Sequence, residues 1–324
     1  MSFLTDLTQR VLRGGTLTKE DALRLYQEEP LEPLSQAADE IRRHFCGSAF
    51  DLCTIINAKS GRCSENCAFC AQSAHHPTCV TSYPLLSPNA LIQDAKKRKD
   101  QGILRYSLVT SGKRLSQEEV DRLCPVIETI CREVGISVCV SFGLLEEDQY
   151  RQLKEAGVTR VHNNLETSQR YFPALCTTHT FQDKCRAIRA AQAAGLEVCS
   201  GGIMGMGETV EDRIDLALSL RDLSIRSVPV NLLNPIPGTP LAQCATLSPD
   251  AFRRILAVYR FLLPQAAIRL AGGRGLLPDG GAACFRSGAN AAITGDMLTT
   301  AGITPETDQD LLKKLGYERR CQHG

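Results

Sequence analysis

The sequence predicts an α/β chain folded as a (β/α)8 TIM-type barrel with an N-terminal helical extension, and three observations lead there. From about residue 50, short β-rich runs alternate with helical patterns at the spacing of βα units. Strand candidates start near Leu52, Arg105, Ile136, Arg160, Leu196, Ser227, Ala267 and Ala291, and eight is the number that closes such a barrel. The intervening helices carry their own start and stop signals. Ser87-Pro88 opens one that stops at Gly102, Thr180 with Asp183 opens one that ends at Gly195, and Ser248-Pro249 opens one that stops before Pro264.

Taken in order, residues from about 2 to 45 read as helices, with Thr18 and Asp21 as a capping-box-like pair and no strand alternation. Residues 1–48 are therefore expected to form a helical cap, 49–304 the barrel, and 305–324 a short charged tail that frays or docks as a small helix. One segment resists. Ser116 and Glu119 form a capping box, yet Pro125 falls inside the apolar pattern Val120, Leu123, Ile127, Ile130, Val134. An interior proline costs ~3 kcal/mol, so a kink or a late helix start is expected there. Cys321 and His323 near the end are too few for a metal clip and read as incidental.

Composition narrows the class. Lys plus Arg is 37 and Asp plus Glu 36, a formal charge of +1, which advertises neither nucleic acid nor an anionic membrane as partner. No run approaches the ~20 apolar residues of a membrane span, and Met1-Ser-Phe-Leu-Thr-Asp-Leu lacks a basic region followed by an apolar core. A cytoplasmic protein is expected, whose 15 cysteines are reduced, each a small buried hydrophobe or a ligand.

Side chains alternate along a strand, so each run divides into a helix-facing and a barrel-facing set. Apolar Leu52, Thr54 and Ile56 leave Cys53, Asn57 and Lys59 inward; Tyr106 and Leu108 leave Ser107; Ile136, Val138, Val140 and Phe142 leave Ser137, Cys139 and Ser141. Likewise Leu196 and Val198 leave Glu197, Cys199 and Gly201; Val228, Val230 and Leu232 leave Asn231; Ile268 and Leu270 leave Arg269; and the fourth strand offers Arg160, His162 and Asn164. A barrel interior is normally packed with branched apolar residues, so this polar lining implies a cavity that holds something. A buried arginine there demands an anionic partner.

The run Gly61-Arg-Cys-Ser-Glu-Asn-Cys-Ala-Phe-Cys-Ala-Gln72 places Cys63, Cys67 and Cys70 at C-x-x-x-C-x-x-C spacing. Zinc usually takes four ligands and a distant second half, which is absent, and a disulfide framework does not suit a long chain without a secretory signal. Three thiolates from one short loop can hold three irons of a cubane cluster and leave the fourth open for chemistry. The run Gly201-Gly-Ile-Met-Gly-Met-Gly-Glu208 is a turn after a strand and lacks the G-x-G-x-x-G dinucleotide spacing.

The cysteine loop, with Phe69 directly before its last cysteine, resembles the signature of the radical S-adenosylmethionine enzymes. The resemblance implies a 4Fe-4S cluster whose open iron chelates S-adenosylmethionine and whose electron cleaves it to a 5'-deoxyadenosyl radical. From about Asp51 to Thr300 the chain further resembles the biotin synthases, in Cys63 to Gln72, Asn164-Leu-Glu-Thr167, Val198-Cys-Ser-Gly-Gly-Ile203, Gly205-Met-Gly-Glu-Thr209, Gly238-Thr-Pro-Leu241, Arg269, Gly273-Arg274, Ala289-Asn290 and Leu298-Thr-Thr300.

That resemblance implies sulfur insertion into dethiobiotin, with an auxiliary iron-sulfur cluster, 2Fe-2S or larger, as sulfur donor. Cys63, Cys67, Cys70 and Arg269 would carry the reaction. Phe69, Glu166, Gly201 and Gly202 would support S-adenosylmethionine, with Glu166 gripping its ribose. Asn164 and Asn231 would hold the ureido ring, and Thr299 with Thr300 the carboxylate tail. The family's auxiliary ligands are three cysteines and an arginine; Cys139, Cys199 and Arg269 match three of them.

The fourth does not match. Ser107 stands where the commoner members have cysteine, and Cys53 stands on the adjacent strand where they tend to have serine. Inward neighbours on adjacent strands lie ~5 Å apart, and thiolate is the better iron ligand, so Cys53 is expected to replace the missing one. The resemblance also implies a flavodoxin- or ferredoxin-type reductant protein and a homodimer. Alternatives are another radical enzyme, such as the [FeFe]-hydrogenase maturase or methylornithine synthase, and, in another class, a non-catalytic iron-sulfur carrier. Cys46, Cys79, Cys124, Cys131, Cys176, Cys185, Cys244 and Cys284 read as structural or incidental, and His75, His76 and His162 as satisfied polar histidines.

Overall fold

The structure, a computed structural model, describes residues 2–320. Its strands are β1 (Ala49–Lys59), β2 (Arg105–Thr110), β3 (Ser137–Ser141), β4 (Val158–His162), β5 (Glu197–Cys199), β6 (Gly202–Met204), β7 (Ser227–Leu232), β8 (Ala267–Leu270), β9 (Ala291–Thr294) and β10 (Glu318–Arg319). All pairings are parallel, and β9 closes on β1 in the register Asp51 with Ala291 to Thr54 with Thr294. Strands β5 and β6 both pair with β7 and form two halves of one stave, so the barrel has eight positions.

The break in that stave has a local cause. A Cβ on Gly201 would lie 1.8 Å from the Pro229 carbonyl oxygen, and one on Gly202 would lie 2.2 Å from the Glu166 carbonyl oxygen. Pro229 in β7 has no N–H to give the ladder, and the interruption at Ser200 and Gly201 falls opposite it. Strand β1 begins at Ala49, earlier than local patterning suggests, because Ala49 and Phe50 pair with Glu318 and Arg319 of β10.

The helices are α1 (Phe3–Leu12), α2 (Lys19–Glu28), α3 (Leu31–Cys46), α4 (Pro88–Asp100), α5 (Gln117–Thr129), α6 (Glu147–Glu155), α7 (Phe172–Leu175), α8 (Phe181–Ala193), α9 (Val210–Asp222), α10 (Pro249–Leu262), α11 (Ala282–Phe285) and α12 (Pro305–Leu315). Ser87, Ser116, Thr180, Thr209 and Ser248 each accept a backbone N–H of the first turn, a cap that contributes ~1 kcal/mol. Helix α5 starts at Gln117 behind its capping box, so the late start does not occur. The disturbance from Pro125 emerges downstream instead, as a wide π turn over Ile130–Val134.

Helix α3 packs on α10, α2 on α9 and α10, and α1 on α3. Leu7, Val11, Leu25, Leu34 and Ile41 thereby join one core with the helix-facing residues of the barrel, including Leu52, Tyr106, Val140, Val198, Val230 and Ile268. At that junction Arg260 is fully buried without a carboxylate. It donates instead to the carbonyls of Gly288, Pro264 and Ala266 at 2.8–2.9 Å and to Asn290 Oδ1 at 2.8 Å, and burial lowers its pKa. Helix α12 docks through a buried bidentate pair, Arg274 Nη1 to Asp308 Oδ2 at 3.0 Å and Nη2 to Oδ1 at 2.5 Å. Cys321 and His323 lie outside the described residues.

One buried carboxylate ties the loop after β4 to the loop after β6. Asp212 in the first turn of α9 accepts from Ser168 Oγ at 2.6 Å, Thr209 N at 2.9 Å and the Arg170 guanidinium. Burial alone would raise its pKa, but these donors bring it down to about 2. A depressed carboxylate stabilises the fold above its unfolded pKa and loses that contribution as pH falls through the folded value. Asp212→Asn is expected to cost about 2 kcal/mol in urea unfolding at neutral pH, a gap that closes between about pH 4 and about pH 2. A gap independent of pH would refute the assignment.

Candidate active site

The inward faces of the staves enclose a cavity of about 410 Å³. Cys53, Ser107, Cys139, Ser141, Arg160, His162, Asn164, Cys199, Asn231 and Arg269 all line it, as strand alternation requires. Other inward candidates are spent elsewhere. Lys59 pairs with Glu119 at 2.6 Å, Asn57 Nδ2 holds the Leu298 carbonyl at 3.1 Å, Ser137 receives Arg105 at 3.2 Å, and Glu197 receives Arg160 Nη2 at 2.6 Å. Gly201 and Gly202 are not part of the wall; both serve the tight packing described above.

The deep part of the cavity is built around Asp51, which has no solvent exposure. Its Oδ2 lies 3.4 Å from Arg160 Nη1 and 3.2 Å from Arg269 Nη2. Burial would raise this carboxyl, but Arg269, Arg105 and Arg160 hold it below the usual range. Arg269 Nη1 donates to the Asp51 carbonyl at 2.9 Å, the Ala292 carbonyl at 3.0 Å and Cys53 Sγ at 3.1 Å. Its Nη2 has an ion pair but no aligned acceptor.

Three buried thiols border the same space. Arg105 Nη1 reaches Cys139 Sγ at 3.7 Å, and Ser227 Oγ donates to Cys199 Sγ at 3.1 Å. Burial pushes the Cys53 thiol up to about 12, beyond what Arg269 recovers. Burial acts on Cys199 too, but a hydrogen bond from His162 with the charges of Arg269 and Arg160 brings it down to about 6. Counting β1 as the first stave, Cys53, Cys139, Cys199 and Arg269 stand on staves one, three, five and seven. Alternate staves supply the four side chains of one barrel layer. Three thiols and a cation with an unaligned nitrogen suit a cluster whose irons take thiolate and whose net charge is negative.

The cysteine loop follows β1 and is fixed mainly by its own backbone. Cys63 N bonds Gln72 O at 3.0 Å, Ala74 N bonds Cys63 O at 2.8 Å, and Cys70 N bonds Cys67 O at 3.0 Å. His75 Nε2 lies 3.0 Å from the Ser64 carbonyl oxygen and His76 Nε2 3.0 Å from that of Cys67, so both histidines are satisfied clamps on the loop. Cys63, Cys67 and Cys70 are free thiols and all line the cavity, as does Phe69, which fits the three-iron grip of a cubane cluster. Burial pushes Cys70 up to about 11, so iron must displace a proton there.

Glu166 is a non-glycine residue at φ 71°, held by Glu166 N to Gly201 O at 3.0 Å and Ile203 N to Glu166 O at 2.9 Å. Such a conformation costs on the order of 1–3 kcal/mol and aims the side chain into the cavity. Burial raises its pKa against the pull of Lys184 and His162. Asn164 Oδ1 accepts from Gly201 N at 3.0 Å while its Nδ2 donates to Glu166 Oε2 at 3.3 Å. Asn231 Nδ2 donates to Gly202 O at 3.0 Å and its Oδ1 accepts from Gly272 N at 2.8 Å. These contacts fix both amides and leave each one hydrogen and one lone pair free for a ligand. Thr299 and Thr300 line the cavity on the loop after β9.

Residues 58–220 match the radical SAM superfamily, and residues 229–318 match the biotin and thiamin synthesis associated domain. The chain is 56% identical to the biotin synthase of Akkermansia muciniphila, over 99% of this chain and 100% of that one. It is 54% identical to the biotin synthase of Brachyspira hyodysenteriae, over 97% and 94%. The chain belongs to the biotin synthase family. Family membership brings with it a 4Fe-4S cluster, S-adenosylmethionine and an auxiliary iron-sulfur cluster.

In fold the biotin synthase family also meets the two alternative enzymes. Methylornithine synthase aligns with a TM-score of 0.83 at 22% identity over 97% of each chain. An [FeFe]-hydrogenase maturase from Carboxydothermus hydrogenoformans aligns with 0.83 at 17% identity, over 97% of this chain and 78% of that one. No helix among the described residues is long and apolar enough to cross a membrane.

Strand patterning alone does not single out Asp51 and Arg105, although both are within its reach: they stand two residues before Cys53 and Ser107, on the same strand faces. It also passes over Lys184, whose Nζ meets Asn163 Oδ1 at 3.2 Å on the cavity wall, and gives His162 no tie to Cys199. Cys176, incidental by sequence, lies 3.8 Å from Cys67 Sγ. Removing the central carboxylate tests the charge network: Asp51→Ala takes the carboxylate partner from Arg269 and one of two from Arg160, which keeps Glu197, and is expected to destabilise by about 3–5 kcal/mol in urea unfolding. A loss below about 1 kcal/mol would show that the arginines find other partners.

Proposed function

We infer that this chain converts dethiobiotin to biotin by inserting sulfur between two unactivated carbons. When bound, a 4Fe-4S cluster with S-adenosylmethionine supplies 5'-deoxyadenosyl radicals and the auxiliary cluster supplies the sulfur. One observation carries the reading: two separate sets of three thiols border a single cavity, Cys63, Cys67 and Cys70 on the loop after β1, and Cys53, Cys139 and Cys199 between the staves. A cluster carrier needs neither a second set behind the first nor amides on the same wall.

The chain's own residues then bind and orient. Asn164 and Asn231 present their free donor and acceptor to the ureido ring, whose N–H groups and carbonyl complement an amide. Glu166, in its fixed left-handed conformation, accepts from the ribose hydroxyls of S-adenosylmethionine, with Phe69 alongside. Gly201 and Gly202 support that site through the backbone they allow to pack. Thr299 and Thr300 hold the carboxylate tail. The barrel excludes water and places the substrate between the two sulfur sets, so that reacting groups meet in a fixed geometry. By family, a flavodoxin- or ferredoxin-type protein supplies electrons, and the enzyme acts as a cytoplasmic homodimer.

Cys53, Cys139, Cys199 and Arg269 hold the auxiliary cluster, with Cys53 in place of the family's usual ligand on β2. The support is positional: Cys53 contacts Arg269 directly and completes a layer of alternate staves, whereas Ser107 belongs to the other set.

Two measurements test the reading. Anaerobic reaction of the reconstituted protein with S-adenosylmethionine, reductant and dethiobiotin is expected to yield biotin with about two 5'-deoxyadenosines each, one per C–H bond broken. Deoxyadenosine without biotin would sink the substrate assignment. Cys53→Ser is expected to abolish the auxiliary-cluster absorbance while leaving the signature-loop cluster intact; an unchanged spectrum would return the fourth ligand to Ser107.

A further inference from the structure

Cys176 lies far from the signature loop in sequence, at the end of the one-turn helix α7, yet its Sγ stands 3.8 Å from Cys67 Sγ. Around it is a closed polar group. His179 Nδ1 is 3.3 Å and Thr178 Oγ1 3.4 Å from Cys176 Sγ, and the same Nδ1 is 2.6 Å from Glu65 Oε2. Glu65, Cys176 and His179 are 5%, 4% and 7% exposed, so the group is shielded from water. The edge of the Phe172 ring packs against His179 at 5.5 Å between centroids.

The geometry decides where the Cys176 proton points. His179 Nδ1 must carry hydrogen to bond the Glu65 carboxylate at 2.6 Å, so it cannot accept from Cys176. Thr178 Oγ1 is 3.3 Å from Asn66 Oδ1, which is the better acceptor for its own hydroxyl. That leaves the Thr178 oxygen, His179 Nε2 at 3.9 Å and the Cys67 sulfur at 3.8 Å as acceptors for the thiol, and a charged thiolate outcompetes the two neutral groups. Cys176 is not itself needed on iron: the loop already supplies three thiolates, and a fourth would close the position that must remain open.

We propose that Cys176 donates its S–H to the Cys67 thiolate and thereby sets the reduction potential of the signature-loop cluster, with Glu65, Thr178 and His179 as positioning residues. The inference rests on the radical-enzyme reading of that loop. A hydrogen bond to a cluster thiolate stabilises the reduced, more negative state and raises the potential, which governs how readily the reductant loads the electron.

The test compares reconstituted wild type, Cys176→Ala and Cys176→Ser by an electron-paramagnetic-resonance-monitored redox titration. Electron-nuclear double resonance of the reduced cluster after exchange into D2O gives a second readout. With equal iron and sulfide, Cys176→Ala is expected to have a more negative midpoint, its reduced fraction at a fixed potential several-fold lower, and to lose one exchangeable deuteron coupling. Cys176→Ser, which keeps a donor, is expected to regain both. Should Cys176→Ala fail to load, Cys176→Val takes its place. Equal midpoints in all variants, or iron loss in the alanine, valine and serine variants alike, would overturn the proposal. A wild-type loop that holds no cluster would overturn the underlying reading as well.

Discussion

A carboxylate without solvent exposure, Asp51, stands between Arg160 and Arg269 in the middle of the barrel, and the chemistry of the cavity depends on it. Guanidiniums cannot be buried in this number unless something negative accompanies them. Arg160 and Arg269 share Asp51, Arg160 is also paired with the partly exposed Glu197, and the charge of Arg105 acts on Asp51 as well, so three guanidiniums stand beside three thiols. That field pulls each thiol toward thiolate against burial; at Cys199 a hydrogen bond from His162 adds to it and the pull prevails, whereas at Cys53 and Cys139 burial prevails. Cys199 is therefore poised as anionic sulfur, iron must displace a proton from Cys53 and Cys139, and the same arginines would face the negative charge of a cluster.

The rest of the site hangs from breaks in regular structure. The stave opposite Pro229 must open, because Gly201 and Gly202 approach neighbouring carbonyls more closely than any side chain permits. The released backbone is not left unsatisfied: Gly201 N is taken by Asn164 and Gly202 O by Asn231. So the interruption of the ladder is what orients the two amides, and the backbone bonds that span it hold Glu166 in its left-handed conformation. Asp212 secures the same region from outside through Ser168 and the start of α9. Strain at Glu166 is thus offset by contacts made at several points of the chain rather than by one bond.

Much of this arrangement is legible in the amino-acid sequence. Alternation along strands places Cys139, Cys199, Arg269 and Asn231 inward, because period-two patterning, which burial on both faces of a stave would normally erase, survives where the inward face is polar. Helix starts at Ser87, Thr180 and Ser248 are equally local. What escapes is non-local. The pairing of β10 with β1 and the docking of Asp308 on Arg274 join segments far apart in sequence, and no local pattern announces either. Cys176 escapes for the same reason: its meaning comes only from its proximity to Cys67 and Glu65, which meet it through the barrel's curvature. Asp51 and Arg105 differ in kind. Their parity is readable, but Arg105 opens β2 and Asp51 lies just ahead of the apolar run that starts at Leu52, where a local pattern fixes the boundary least well.

The departure at position 107 follows from barrel geometry. Strand order alternates two interleaved sets of staves, and side chains from one set meet in a common layer. Ser107 is registered against Cys139 on the neighbouring stave, while Cys53 is registered against Arg105 and Ile293 and touches Arg269. On the proposed assignment, a thiol on β1 in place of one on β2 would exchange a ligand beside Cys139 for one that shares a layer with Cys139, Cys199 and Arg269. Arg269, which keeps the family's position, is also the group that hydrogen-bonds Cys53, so on the proposed assignment the ligand would change strand while the counter-charge stays in place. What looks like the loss of a cysteine in one strand would then be, in the closed barrel, the move of one donor to the neighbouring stave.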